Sequence, residues 1–185
     1  MSDATAGQIG DQEPTRRDFI HIAAGAAVVG GGVLALWPFI DQMNPAADTL
    51  ALSTTEVDIS QIPVGSQITV SWRGKPVFIR HRTEEEIAEA NAVDVSSLRD
   101  PQTDDERLVP DPEGALRPEI LVMEGVCTHF GCVPLGDGAG PFDGWFCPCH
   151  GSAYDTSGRI RQGPAPLNLP VPPYAYLSDN VIRIG

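Results

Sequence analysis

Basic residues are scarce in this chain. Lys and Arg number 12 against 25 Asp and Glu, for a formal charge of −13. Nucleic-acid binding needs a basic face to displace counterions from phosphate, so that partner class is excluded. An acidic surface suits solubility and docking to a basic partner. Extended helical stretches are disfavoured by 19 glycines and 17 prolines in 185 residues, a loop-rich composition that fits a mainly β protein rather than a helical bundle. The rest of the composition is that of a globular chain, which excludes wholesale disorder. The length accommodates one ordinary domain with an appendage. Cysteine and histidine occur four times each. All the cysteines and two of the histidines fall in two stretches, Cys127-Thr-His-Phe-Gly-Cys132 and Cys147-Pro-Cys-His-Gly-Ser152.

The sequence opens with a polar tail, residues 1–18, that includes the adjacent pair Arg16-Arg17. An apolar run from Phe19 to Ile40 follows, with His21 as its one ionisable member. At 1.5 Å per residue its 22 residues span roughly 33 Å as a helix, matching a hydrocarbon core of about 30 Å. Trp37 lies where an interfacial aromatic is expected. Gly30, Gly31 and Gly32 would permit close packing on a neighbouring membrane helix. A cleaved signal sequence competes with this reading, and the small residues Ala46, Ala47 and Ala51 would allow cleavage without marking a sharp site. The run exceeds the usual apolar core of such signals, which favours a retained single transmembrane helix. The paired arginines resemble a twin-arginine export signal, used by proteins that leave the cytoplasm already folded. Residues 1–18 would then stay inside, and the bulk of the chain would face the periplasm.

Residues 41–53 are small and polar and read as a tether, either a passive connector or a hinge. Strand signals begin at Thr54. Val57-Asp-Ile59 and Gln67-Ile-Thr-Val-Ser-Trp72 alternate. Arg73-Gly74 makes a two-residue turn into Lys75–Arg80, which predicts a hairpin. Thr83-Glu-Glu-Glu86 is a capping box opening a short helix to about Ala92. Residues 94–118 are polar, punctuated by proline, and read as a long irregular excursion. Ile120–Met123 reads as a buried strand leading directly into the first cysteine stretch. Tyr174–Tyr176 and Val181–Ile184 flank a turn at Ser178–Asn180. The expected fold is a mainly β, antiparallel domain over residues 54–185, with a metal-bearing subdomain inserted at about 118–168. His81 is expected to be exposed at a strand end.

Each cysteine stretch offers a Cys and His pair plus one further Cys. Cys127 and His129, two apart in a loop, can reach one metal site, and by symmetry the second stretch offers Cys147 and His150. Spacing alone does not decide which cysteines ligate; Cys132 and Cys149 are surplus if two are used. Export would bring the chain into an oxidising compartment where spare cysteines can pair. A structural zinc with two Cys and two His is the competing reading. Zinc knuckles, however, usually separate paired ligands by two to four residues, and they leave the two spare cysteines unexplained. Two plain disulfides would leave both histidines idle.

Together the two stretches resemble the Rieske iron–sulfur signature. The order of double-arginine head, single anchor, small-residue linker and β domain is similar to the Rieske subunit of the cytochrome bc complex (ubiquinol–cytochrome c reductase) of α-proteobacterial type. The likeness covers nearly the whole chain. It implies a [2Fe–2S] cluster with one iron held by Cys127 and Cys147 and the other by His129 and His150. It also implies a disulfide between Cys132 and Cys149. Gly163-Pro-Ala-Pro166 is similar to the family's proline loop over the cluster. Ser152 and Tyr154 match its two hydroxyl donors to sulfur, which push the potential to the high end. The resemblance further implies that His150 is the exposed ligand that meets ubiquinol. One electron would pass to a c-type cytochrome by a swing on residues 41–53, and the other to cytochrome b, in a dimeric, proton-translocating complex of the bacterial inner membrane. Phe130 departs from the leucine more usual at the tip, and the excursion at 94–118 is shorter than in some bacterial relatives. Another exported oxidoreductase of the arsenite oxidase kind, or a Rieske ferredoxin, is the alternative; the anchor and the two hydroxyls argue against a low-potential ferredoxin.

Overall fold

A computed structural model describes residues 15–45, 53–136 and 138–185. The chain divides into two compact units, Met1–Ala47 and Asp48–Gly185. The described part of the first is one helix, α1 (Arg16–Asp41). It begins three residues before the expected apolar run because Thr15 and Asp18 form a capping box. The Thr15 N–H donates to Asp18 Oδ2 at 2.8 Å, and the Asp18 N–H donates to Thr15 Oγ1 at 3.3 Å. The two arginines therefore occupy the first helical turn rather than a preceding tail. The helix buries none of its side chains, and its most apolar 18-residue window has a mean hydropathy of 2.0. A helix apolar on all sides and unburied suits lipid rather than water. Residues 1–14 of the polar tail and 46–52 of the tether lie outside the described residues.

The described residues of the second unit form three three-stranded antiparallel sheets. In the first, β1 (Thr55–Asp58) pairs with β9 (Val181–Ile184), which pairs with β8 (Tyr174–Ser178). In the second, β3 (Lys75–His81) lies between β2 (Gln67–Trp72) and β4 (Ile120–Glu124). The expected hairpin is present. Arg73 and Gly74 both take positive φ, 49° and 75°, as the turn of a twisted two-residue hairpin requires. The helix α2 (Glu84–Ala92) starts from the expected capping box of Thr83 and Glu86.

Within the second sheet, β4 and the middle of β3 are buried on both faces, which is why Ile120–Met123 reads as an unbroken apolar run. Val77, Ile79, Ile120 and Val122 face one core, shared with Tyr174, Tyr176, Ile182 and Ile184 of the first sheet. Phe78, Leu121 and Met123 face a second core that contains Cys127, Trp145, Cys147, Tyr154, Ile160 and Ala165. The cysteine stretches are thus built onto the back of a packed sheet.

The third sheet, β5 (Trp145–Cys147), β6 (Ser152–Tyr154) and β7 (Ile160–Gln162), carries no strand signal in the sequence because each strand is three residues long. Residues 94–118 are irregular, as expected, apart from single 3-10 turns at Val95–Ser97 and Asp105–Arg107. They nevertheless contribute a buried ionic network. Arg82 holds both carboxylate oxygens of Asp104 at 2.7 and 2.8 Å, and Ser157 Oγ donates to the same carboxylate at 2.5 Å. Arg107 donates to the carbonyls of Ser157 and Leu169, both at 2.6 Å. His81 is half-buried rather than exposed, because its Nδ1 lies 2.7 Å from the Ile62 carbonyl.

Candidate metal centre

The two stretches fold as matching loops. In each, a glycine at positive φ (Gly131 at 82°, Gly151 at 75°) donates its N–H to the carbonyl of the leading cysteine, Cys127 at 2.9 Å and Cys147 at 3.0 Å. Glycine is suited to both positions because that backbone region is costly for other residues. The first loop leaves β4 and is closed by Cys127 N–H to the Cys132 carbonyl at 2.8 Å. The second is the β5–β6 connection, with Cys147 paired to Ser152 in the sheet register. A disulfide between Cys132 and Cys149 joins the loops, leaving Cys127 and Cys147 as free, buried thiols.

The expected ligands fall in two pairs, thiols buried in one core and imidazole rings packed on each other. Cys127 and Cys147 are buried in the same core, and each shifts the other's ionisation. The rings of His129 and His150 pack edge to face with centroids 4.6 Å apart. The Cys147 sulfur also lies within 4.8 Å of both disulfide sulfurs, but a disulfide sulfur has no thiolate to offer a metal. His129 Nδ1 is buried with no hydrogen-bond partner. Such an orphaned nitrogen is costly unless something binds it, and imidazole nitrogen is a common metal ligand. Two free thiols, two imidazoles and an unpaired buried ring nitrogen fit a [2Fe–2S] cluster of the mixed Cys/His kind.

Two hydroxyl side chains lie beside the thiols. The buried Tyr154 phenol donates to Cys127 Sγ at 3.2 Å. Ser152 is buried opposite Cys147 in the sheet register, and its Oγ accepts the Ala165 N–H at 3.1 Å. Burial pushes the Cys127 thiol up, but hydrogen bonds from Tyr154 and the His129 backbone outweigh it and bring the thiol below its ordinary value. Burial dominates at Cys147 and raises it, with Cys127 adding to the rise. Burial and the bond to Cys127 together raise the Tyr154 phenol and keep it a donor.

Around this centre the surface is apolar and open. Phe130 is 77% exposed and packs on His129 with centroids 4.0 Å apart, and His150 is exposed beside it. Val133, Leu135 and Leu167 are exposed as well. The loop 163–166 approaches the second stretch so closely that a Cβ on Gly163 would lie 2.5 Å from Ser152 Cα. Two residues that anchor this loop escaped the sequence reading. Thr128 Oγ1 donates to the Leu167 carbonyl at 2.7 Å, and Arg99 donates to the carbonyls of Gly163 and Ala165. Neither contact leaves a local pattern.

Residues 58–173 match the family described as Rieske [2Fe-2S] domain, and residues 7–46 match the one described as Ubiquitinol-cytochrome C reductase Fe-S subunit TAT signal. The ubiquinol-cytochrome c reductase iron-sulfur subunit of Rhodospirillum rubrum is 61% identical over 177 residues, covering 94% of this chain and 93% of that protein. The subunit of the same name from Bradyrhizobium diazoefficiens is 57% identical over 173 residues, covering 93% and 95%. A solved structure titled Hyperthermophilic respiratory Complex III is similar over 89% of this chain and 99% of that one, at 30% identity and a TM-score of 0.49.

Proposed function

The chain belongs to the Rieske iron–sulfur subunits of ubiquinol–cytochrome c reductase, and from that membership we propose how its own residues carry out the electron transfer. It is an electron-transfer subunit of that reductase, with a [2Fe–2S] cluster as cofactor, and it is an exported protein anchored by α1.

In this reading Cys127 and Cys147 hold one iron while His129 and His150 hold the other. The thiol pair and the imidazole pair support that division. When bound, the cluster supplies a one-electron couple at about −150 to +300 mV, against about −400 mV where all four ligands are thiolates. Neutral imidazoles bring less negative charge than thiolates, so an added electron is easier to accept. Tyr154 and Ser152 act in the same direction by donating to sulfur. The disulfide Cys132–Cys149 holds the two loops in register, and loop 163–166 keeps water from the thiols.

His150 is the residue that meets ubiquinol. With one ring nitrogen given to iron, the other would hydrogen-bond the quinol oxygen and, in its deprotonated form, take the quinol proton, while Phe130 and the neighbouring apolar side chains line the approach of a lipid-soluble substrate. The partners are cytochrome b and a c-type cytochrome, in a dimeric complex of the bacterial inner membrane. Residues 1–18 are cytoplasmic, 19–40 span the bilayer, and 54–185 form the periplasmic domain, with the cluster subdomain at about 118–168. Residues 41–53 let that domain reach both cytochromes. The match of residues 7–46 to the reductase subunit's own signal family favours this complex over an arsenite oxidase or a free ferredoxin.

The observation that carries the reading is the pairing of two free buried thiols with two imidazoles, one of them exposed. Electron paramagnetic resonance of ascorbate-reduced membranes tests it. A Rieske signal that shifts when a quinol-site inhibitor is added is the expected result. A signal indifferent to the inhibitor would overturn the quinol contact, and no signal would overturn the ligand set.

A further inference from the structure

The loop over the thiols has few means of holding itself in place. Pro164 and Pro166 have no amide hydrogen. The Ala165 N–H is committed to Ser152 Oγ at 3.1 Å, on the cluster side. On the opposite side, one nitrogen of Arg99, Nη1, donates to the carbonyls of both Gly163 and Ala165, at 2.7 and 2.6 Å. The next residue, Asp100, accepts from the Asn168 N–H at 2.9 Å, and its carbonyl accepts from Asn168 Nδ2 at 3.0 Å. Arg99 and Asp100 therefore bracket the loop, from an excursion more than 60 residues earlier in the chain.

We propose that Arg99 is a positioning residue that latches loop 163–166 onto the second cysteine stretch and thereby fixes the Ser152 hydroxyl towards sulfur. The proposal rests on the Rieske reading. Ala165 is completely buried, and its N–H occupies the Ser152 oxygen as a donor. A hydroxyl oxygen engaged in this way keeps its own proton free to be donated elsewhere, and Ser152 stands opposite the thiol-bearing Cys147 in the sheet register. If the loop lifts, Ser152 loses the N–H that orients it, and the thiol side of the site opens to water. Gly163 shows how little slack the loop has, since even a methyl group there would collide with Ser152. A guanidinium on two carbonyls is a charge-assisted contact. Lysine keeps the charge but presents it as a point on a flexible stem.

The test uses the full-length, cluster-loaded protein in its membrane complex, with Arg99→Met and Arg99→Lys. Two quantities are read: hydrogen exchange of the segment covering 160–170, and the midpoint potential from redox-poised paramagnetic resonance. Arg99→Met is expected to keep the cluster signal, to raise exchange in the loop by about tenfold, and to lower the potential. Arg99→Lys recovers part of both. Unchanged exchange in Arg99→Met overturns the latch. Faster exchange with an unchanged potential overturns the positioning of Ser152. If Arg99→Met loses the cluster, the Arg99→Lys comparison decides on the same two readouts. Failure of the Rieske reading would show differently, as a missing signal in the parent protein.

Discussion

The Tyr154 phenol donates to the Cys127 sulfur across 3.2 Å from a fully buried position. A donor aimed at a ligand sulfur stabilises the more negative, reduced state more than the oxidised one. Tyr154→Phe removes the hydroxyl and keeps the ring that packs with Phe78, Trp145 and Ile160. The cluster is expected to remain bound with its midpoint lowered by about 60 mV, the one-electron equivalent of a tenfold change. Ser152→Ala should act in the same direction. Potentiometric titration of the paramagnetic signal measures both, and an unchanged midpoint would remove the hydroxyls from the account of potential.

The disulfide between Cys132 and Cys149 closes a sequence separation of 17. A cross-link of that length is worth about 3 kcal/mol in the chain-entropy picture. The Cys132→Ala/Cys149→Ala double variant avoids leaving a stray thiol beside Cys147. It should assemble the cluster but lose it to a chelator much faster than the parent protein does. Following the paramagnetic signal with time in chelator measures this, and equal decay would show that the loops hold their register without the cross-link.

If the β domain moves between two cytochromes as proposed, its tether must be compliant. Introducing prolines within residues 41–53 should slow quinol-dependent cytochrome c reduction while leaving the spectrum and midpoint of the cluster unchanged, because the substitutions lie outside the β domain. Parallel measurement of turnover and the reduced-cluster spectrum separates the two effects. Undiminished turnover would show that residues 41–53 are a passive connector.

Where the sequence determines structure locally, the fold is legible from it. Arg73-Gly74 specifies its hairpin because a tight turn between twisted strands needs positive φ. Thr83 and Glu86 specify the start of α2 through two reciprocal hydrogen bonds. Thr15 and Asp18 do the same for α1, which therefore begins three residues before the apolar run. The centre is legible because its chemistry lies in two short stretches. What escapes is long-range. The three-residue strands β5, β6 and β7 are too short to show a period. Arg99 meets the proline loop 64 residues away, and Arg82 meets Asp104 across 22. Such side-chain pairs depend on which loops the packed sheets bring together, so no spacing in the chain announces them.

The Arg82–Asp104 pair gives a pH dependence with a definite sign. Both side chains are fully buried, and Ser157 supplies a further hydrogen bond to the carboxylate. Burial alone would raise the Asp104 pKa, but the bonds and charge of Arg82, with help from Ser157 and Arg159, carry it below its ordinary value. The unfolded chain therefore binds this proton more readily than the folded one. The stabilisation is fully present above the unfolded carboxylate value of about 4 and is lost as pH falls through the lower folded value. Asp104→Asn keeps the shape but strands the Arg82 charge, a change expected to cost about 3–5 kcal/mol at neutral pH. Its penalty should shrink as pH drops below about 4, because the unfolded parent chain then takes up a proton that folded Asp104 still refuses, and the advantage of the charged pair is progressively lost. Thermal unfolding of both proteins from neutral to acid pH measures the difference. A penalty that stays constant across that range would show that the Asp104 charge contributes nothing to holding the excursion against the third sheet.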